Sequence, residues 1–362
     1  LLEHLTGAPL FYDYLGWAVL LLAAFNAAQI IYLLWNKARV ERAERRKDAL
    51  RRLTVTAVMT SPTPADLLAP PAGEEEYEAC SEAIAGILEN FEGEIAERAL
   101  GLLERFGVSG HYRAMARGGR WYRRANAVDM LSVFRLEENR GSLLELFKKE
   151  RVASVRYRIL RALSLIARGH DDITTLACLL SELPYLTPKY TEDLFYNAVT
   201  ALKAKGREEE FGLFMRRIMR DDRVLTLVKR DCLTACRAAA CEKAGELFRD
   251  YYAAYPEEPE ILAACVKALA RKGDFSLLPD ALRHPHWLVR LAALKNAHLC
   301  REGPAGEIAA LLSDHNYHIR LNAALALARS GERGRAALRA AAASGDRFAS
   351  DSASYALEQE TA

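Results

Sequence analysis

Three cysteines, Cys232, Cys236 and Cys241, form the densest group of metal-ligating or nucleophilic side chains in this 362-residue sequence. The first two are four residues apart and share a helical face, but partners at CxxC or histidine spacing, which a zinc site needs, are missing. Burial as small hydrophobes is the simpler reading. His284, His286, His315 and His318 recur at matching places in two related segments, so neighbouring turns could bring imidazoles together; loop or capping roles explain them without a ligand. The stretch RAMARGGRWYRRANA from Arg113 interleaves Trp121 and Tyr122 with five arginines, the composition of a phosphate-contacting surface. The register of Trp121 favours packing over nucleic acid. No P-loop, dinucleotide fingerprint, nucleophile elbow or H-E-x-x-H occurs, so no catalytic residue, cofactor or metal is nominated.

Two amides pose a different question. Asn26 and Gln29 lie inside YLGWAVLLLAAFNAAQIIYLLW, residues 14–35, which holds 22 residues with no ionisable side chain except tyrosine. A helix of that length reaches roughly 30 Å and can cross a bilayer. Tyr14 and Trp17 at one end, with Tyr32 and Trp35 at the other, suit the two interfacial belts. Within the span, Asn26, Gln29, Ala23, Ala24, Ala27 and Ala28 are candidates for contact with a partner helix, because small residues admit a second backbone and amides bond across the gap.

Eight basic residues follow the span: Lys37, Arg39, Arg42, Arg45, Arg46, Lys47, Arg51 and Arg52; residues 1–13 contain no lysine or arginine. Positive-inside topology therefore predicts an inner (plasma) membrane protein with residues 1–13 outside and the bulk of the chain cytoplasmic. The same residues offer attraction to an anionic membrane surface. Pro62, Pro64, Pro70 and Pro71 predict an extended linker over 54–73, between a basic juxtamembrane helix at 36–53 and a folded region at 74–362. Seven cysteines, an odd number without a paired framework, fit a reducing compartment. A net charge of +2 gives no general drive toward nucleic acid.

From Glu74 onward apolar residues recur at helical spacing between short Gly, Pro, Asp or Asn breaks, so the folded region reads as all-α. HPHWLVRLAALKNA (284–297) aligns with DHNYHIRLNAALAL (314–327) at a shift of 30, placing Val289-Arg290 over Ile319-Arg320. Val155-Arg156 after Glu150 fits the same register, and Arg124 stands where the later copy has Arg290. An acidic residue, a four-residue gap and Val-Arg resemble the motif that opens the second helix of each HEAT repeat. Asp314 with Ile319-Arg320 matches fully, Glu150 with Val155-Arg156 carries Glu for Asp, and His284 replaces the acid before Arg290.

The resemblance implies an N-terminal transmembrane helix followed by a HEAT-like α-solenoid, with Glu150, Arg156, Arg290, Asp314 and Arg320 forming a structural ladder between repeats. In the last copy Ser350 replaces the arginine, as suits a terminal repeat. The function this predicts is a non-enzymatic scaffold: a cytoplasmic repeat domain that binds a protein partner, and a membrane helix that joins an integral membrane complex. Membrane-tethered HEAT proteins resemble accessory subunits of glycosyltransferase or export assemblies. Two alternatives remain open, a HEAT protein similar to the bilin lyases that cradles a small ligand and a nucleic-acid-binding HEAT protein.

Overall fold

The computed structural model describes residues 8–185, 187–238, 244–300 and 303–361; most of the expected outer segment, residues 1–7, and Cys241 lie outside them. The described residues contain α-helices and short 3-10 turns but no strand. They divide into two compact units that meet at Gly118 and Gly119.

The first unit is organised by α1, an unbroken 53-residue helix, Ala8–Thr60. The first proline after the basic segment is Pro62, so nothing before it stops the helix. Thr54, Ala57 and Val58 share one face, and all three are buried. Burying one valine side chain is worth roughly 1.5–3 kcal/mol. Residues 54–60 of the linker expected over 54–73 therefore continue α1, with Thr54, Ala57 and Val58 in a core. Beyond it a 3-10 turn at Pro64–Asp66 buries Pro64. Helix α2 (Glu74–Asn90) opens on three glutamates, which suit the positive end of its dipole, and buries Cys80, Ile84 and Ile87. It packs on α1 and on α3 (Glu94–Arg105), and α4 (Val108–Ala116) closes against α3.

The second unit is a two-row helical array. One row holds α5 (Trp121–Phe134), α7 (Ala153–Leu165), α9 (Pro188–Ala204), α11 (Thr226–Ala238), α13 (Pro259–Arg271), α15 (Trp287–Ala297), α17 (Tyr317–Ala328) and α19 (Arg347–Thr361), each packed on the next. We call these the B helices. The other row holds α6 (Arg140–Lys149), α8 (His170–Ser181), α10 (Phe211–Arg220), α12 (Ala244–Ala254), α14 (Leu278–Leu282), α16 (Ala305–Ala310) and α18 (Gly331–Ala342). The chain is a helical-repeat protein: each repeat buries its apolar stripe only by stacking on its neighbours. In the last repeats Leu262, Val289, Ala293, Ile319, Leu327 and Leu338 share one core. Gly334 is required there, since a Cβ on it would lie 1.9 Å from the Leu327 carbonyl oxygen.

Local signals start the B helices. Thr187 caps α9 by accepting from the Tyr190 N–H, with Pro188 at the first helical position. Asn316 caps α17 by accepting from the His318 N–H, and the His286 ring does the same for Leu288 at the start of α15.

Candidate interaction surfaces

Every described side chain of α1 from Gly16 to Trp35 is exposed, and this is the one described helix long and apolar enough to cross a membrane. At about 100° per residue, Gln29, Asn26, Ala23 and Ala27 span an arc of roughly 160°, whereas Ala24 and Ala28 continue around the far side. The six residues thus form a broad band rather than one narrow seam. The Asn26 amide donates to the Leu22 carbonyl at 2.8 Å, so one of its donors is already satisfied within its own helix. Its oxygen and second N–H stay free to reach outward.

The basic segment divides in two. Lys47 pairs with Glu78 at 2.5 Å, and Arg51 reaches Glu82, both across to α2. The Glu78 hydrogen bond holds the Lys47 ammonium above its ordinary range despite partial burial. These two residues serve packing. Lys37 and Arg45 make loose contacts with Glu41 at 3.8 and 3.9 Å, Arg42 donates to its own helix, and Arg39 lies over the Trp35 ring at 5.4 Å. Together with Arg46 they form an exposed cationic collar that follows the apolar span, while exposed Arg52 lies further along, beyond Lys47 and Arg51.

In the second unit, arginines near the start of several B helices act on two sides at once. Arg290 donates back to the carbonyls of His284 and Pro285 at 2.8 and 2.7 Å, and pairs forward with Asp314 at 2.9 Å. Arg124 donates back to the Gly119 carbonyl and grips Glu150 through two bonds of 2.7 and 2.9 Å. Each acid belongs to the following repeat. The Glu150 carboxylate also accepts the N–H groups of Arg151 and Val152, and the Asp314 carboxylate accepts that of Asn316, so both acids organise the turn that enters the next B helix. Arg156 reaches Glu182 at 3.0 Å and stacks on Phe147 at 4.0 Å. Arg320 donates to the Asp314 and His315 carbonyls and lies 4.6 Å from the Phe348 ring.

Sequence reasoning missed Glu182 and the rung at α11. There Lys229, buried, donates to the Met219 carbonyl at 3.0 Å. Beside it Arg230 joins Asp231, Glu260 and the Tyr185 hydroxyl, while Tyr185 donates to the fully buried Asp231 at 2.6 Å. Burial pushes the Asp231 carboxyl upward, and the Tyr185 and Arg230 bonds oppose that shift. The adjacent Lys-Arg-Asp run was the available signal.

Burial places the cysteines, and hydrogen bonds and exposure place the remaining candidates. Cys232 and Cys236 are buried with their sulfurs 3.6 and 3.5 Å from Met215 Sδ. His284 and His315 line one recess of about 330 Å³ together with Arg290, Glu307 and Asp314. The His284 ring accepts the His286 N–H at 3.1 Å, a turn-forming role. Trp121 requires a correction: it is 52 % exposed and Tyr122 49 %, so the packing role expected of Trp121 does not hold. Trp287 sits likewise at the first residue of its helix and is 40 % exposed; burial begins further along, at Ala125 and Val289. Tyr251 is buried, and Tyr255 donates to the Met219 carbonyl at 3.0 Å.

No protein-family model matches the chain, and no curated protein matches it. Among solved structures it is similar to Kap121p, in a crystal structure of Kap121p bound to Nup53p, at 12 % identity with a TM-score of 0.41. That match covers 86 % of this chain but 41 % of Kap121p. A designed armadillo repeat protein matches at 13 % identity and a TM-score of 0.23, covering 85 % of this chain and 98 % of that one. An engineered protein matches at 15 % identity and a TM-score of 0.21, over 78 % of this chain and 96 % of its own. At these scores the comparisons add no weight to the repeat architecture, which stands on the packing of α5 to α19.

Proposed function

We propose that this chain is a non-enzymatic membrane-anchored scaffold. Its apolar first helix crosses a bilayer once, with the N-terminus outside, and its helical repeats bind a protein partner in the cytoplasm. The observation that carries this reading is α1 itself: an apolar helix whose side chains are exposed from Gly16 to Trp35 continues without a break into the core of the first unit. Exposed apolar surface of that extent is unstable in water and calls for lipid or a partner helix. The cationic collar lies at one end only, which supports the orientation.

From Asn36 to Arg46 the helix makes no contact as strong as the Lys47 pair, and these 11 residues rise about 17 Å. In this reading they form a stiff stalk that sets the height of the first unit above the headgroups. The cationic collar lies against anionic lipid, and the amide and alanine band engages a helix of an integral membrane complex. An accessory subunit of a membrane glycosyltransferase or export assembly fits this arrangement. Affinity purification of the full-length chain in mild detergent, followed by mass spectrometry, tests it. Integral membrane proteins should be recovered with the full chain and lost from a chain beginning at Lys37. Identical recoveries from the two would remove the membrane-complex reading.

A further inference from the structure

In the second unit the arginines near the starts of several B helices are neutralised: Arg124 by Glu150, Arg156 by Glu182 and Arg290 by Asp314. Arg230 has Asp231 and Glu260. The other ends of three successive B helices differ. Arg237, Arg271 and Lys295 stand in the last turns of α11, α13 and α15. Lys267 lies one turn inward of Arg271 on the same face. None of these four has a hydrogen bond or ion pair among the described residues. Lys267 is the one exposed residue in α13 between Ile261 and Ala270, so it projects from an otherwise buried helix. Helix dipoles favour a cation at each C-terminus singly, but they do not account for Lys267, nor for neighbouring cations that form no ion pair among the described residues. Partial burial lowers the proton affinity of Lys267, and the facing cations Arg230, Lys295 and Arg237 add to this against the single carboxylate of Glu260. Arg237 is lowered too, by burial and then by Arg271.

We propose that Arg237, Lys267, Arg271 and Lys295 form a docking strip for an acidic, extended segment of a partner protein that runs across the C-terminal ends of α11, α13 and α15. Packed helices lie about 8–10 Å apart, and an extended chain rises about 3.3 Å per residue. Aspartate or glutamate at every third position therefore keeps step with the strip. A phosphodiester chain fits less well. Glu192 and Glu260 flank the strip, and the exposed aromatics Trp287, Tyr317 and Phe348 sit at the opposite ends of their helices, away from the cations. The proposal rests on the scaffold reading and names its partner chemistry.

Fluorescence anisotropy of the full-length chain in mild detergent tests it, with a labelled peptide that carries glutamate at every third position in a serine and asparagine background. Saturable binding that weakens as salt rises from about 50 to about 300 mM is expected. It should fall at least about tenfold in K267M/K295M, whose unchanged circular dichroism excludes misfolding, and also in R271Q alone. The same peptide with lysine for glutamate should not bind. Absence of saturable binding at low salt, or equal binding by the variants, would overturn the strip. So would an unstructured oligonucleotide that binds more tightly than the peptide and loses affinity in the same variants. None of these results depends on the membrane partner, so failure here leaves the anchor reading standing.

Discussion

Lys47 of α1 and Glu78 of α2 are joined at 2.5 Å, and Arg51 and Glu82 repeat the contact one turn further on. These pairs, with Thr54, Ala57 and Val58 buried beneath them, make the end of the apolar helix part of the first unit's core. A chain beginning at Lys37 keeps that core, whereas one beginning at Glu74 exposes the faces of α2 and α3 that α1 covers. The shorter chain should lose about 1.5–3 kcal/mol from the burial of Val58 alone. Thermal unfolding followed by circular dichroism checks this. Matching first transitions in the two truncated chains would mean that residues 47–60 contribute nothing to the fold.

The amide band makes a separate prediction. Asn26 has one donor satisfied by Leu22, so any partner contact must use its remaining groups together with Gln29. Replacing both with leucine should leave membrane insertion intact and reduce recovery of the membrane partner, each interhelical bond being worth about 0.6–2 kcal/mol. Replacing Leu21 and Leu22 with valine should not reduce it. Unchanged recovery from Asn26→Leu/Gln29→Leu would reduce α1 to an anchor.

The rungs differ in burial, and their energies should follow. The Arg290 and Asp314 side chains are 7 % and 6 % exposed, so removing either alone strands a buried charge at a cost of about 3–5 kcal/mol. The double replacement should cost less than the sum of the two. Glu182, at 57 % exposure, should cost no more than about 1 kcal/mol when replaced by alanine. Denaturant titrations of the four variants measure the gradient.

Acid should weaken the Glu150 rung in a defined direction. The Arg124 hydrogen bond, with help from the backbone N–H groups of Val152 and Arg151, holds the Glu150 carboxyl below its ordinary value against the effect of burial. The unfolded chain therefore binds this proton more readily, and the stabilisation is complete above the unfolded carboxylate value of about 4.3 and lost as pH falls through the folded one. Arg124→Gln should be about 1–3 kcal/mol less stable than the parent at neutral pH. The gap should narrow below about pH 4. A gap independent of pH would assign the loss to packing.

The helical pairing was legible because the apolar period and the Val-Arg register repeat across neighbours whose cores are the same. The arginine positions were legible too, but not how they pair: Arg124 meets Glu150 of the following repeat, a pairing between segments that no local spacing encodes. The tail of α1 was hidden by the prolines after it, which mark where a helix must stop but not how far it runs first. Repeat register alone does not bury Trp121: it and Trp287 both stand on the first turn of their helices and are exposed there. Glu182 and the Arg230 network lie outside the acid-gap-Val-Arg pattern, and the Lys229-Arg230-Asp231 run marks charge at α11 without saying which residues it meets.

Extraction of cell membranes at alkaline pH asks whether α1 holds the chain in a bilayer. Peripheral proteins are released by this treatment, whereas a helix with about 20 apolar residues in lipid is retained. The full-length chain should stay in the membrane pellet, and the chain beginning at Lys37 should appear in the supernatant. Release of the full-length chain would contradict this.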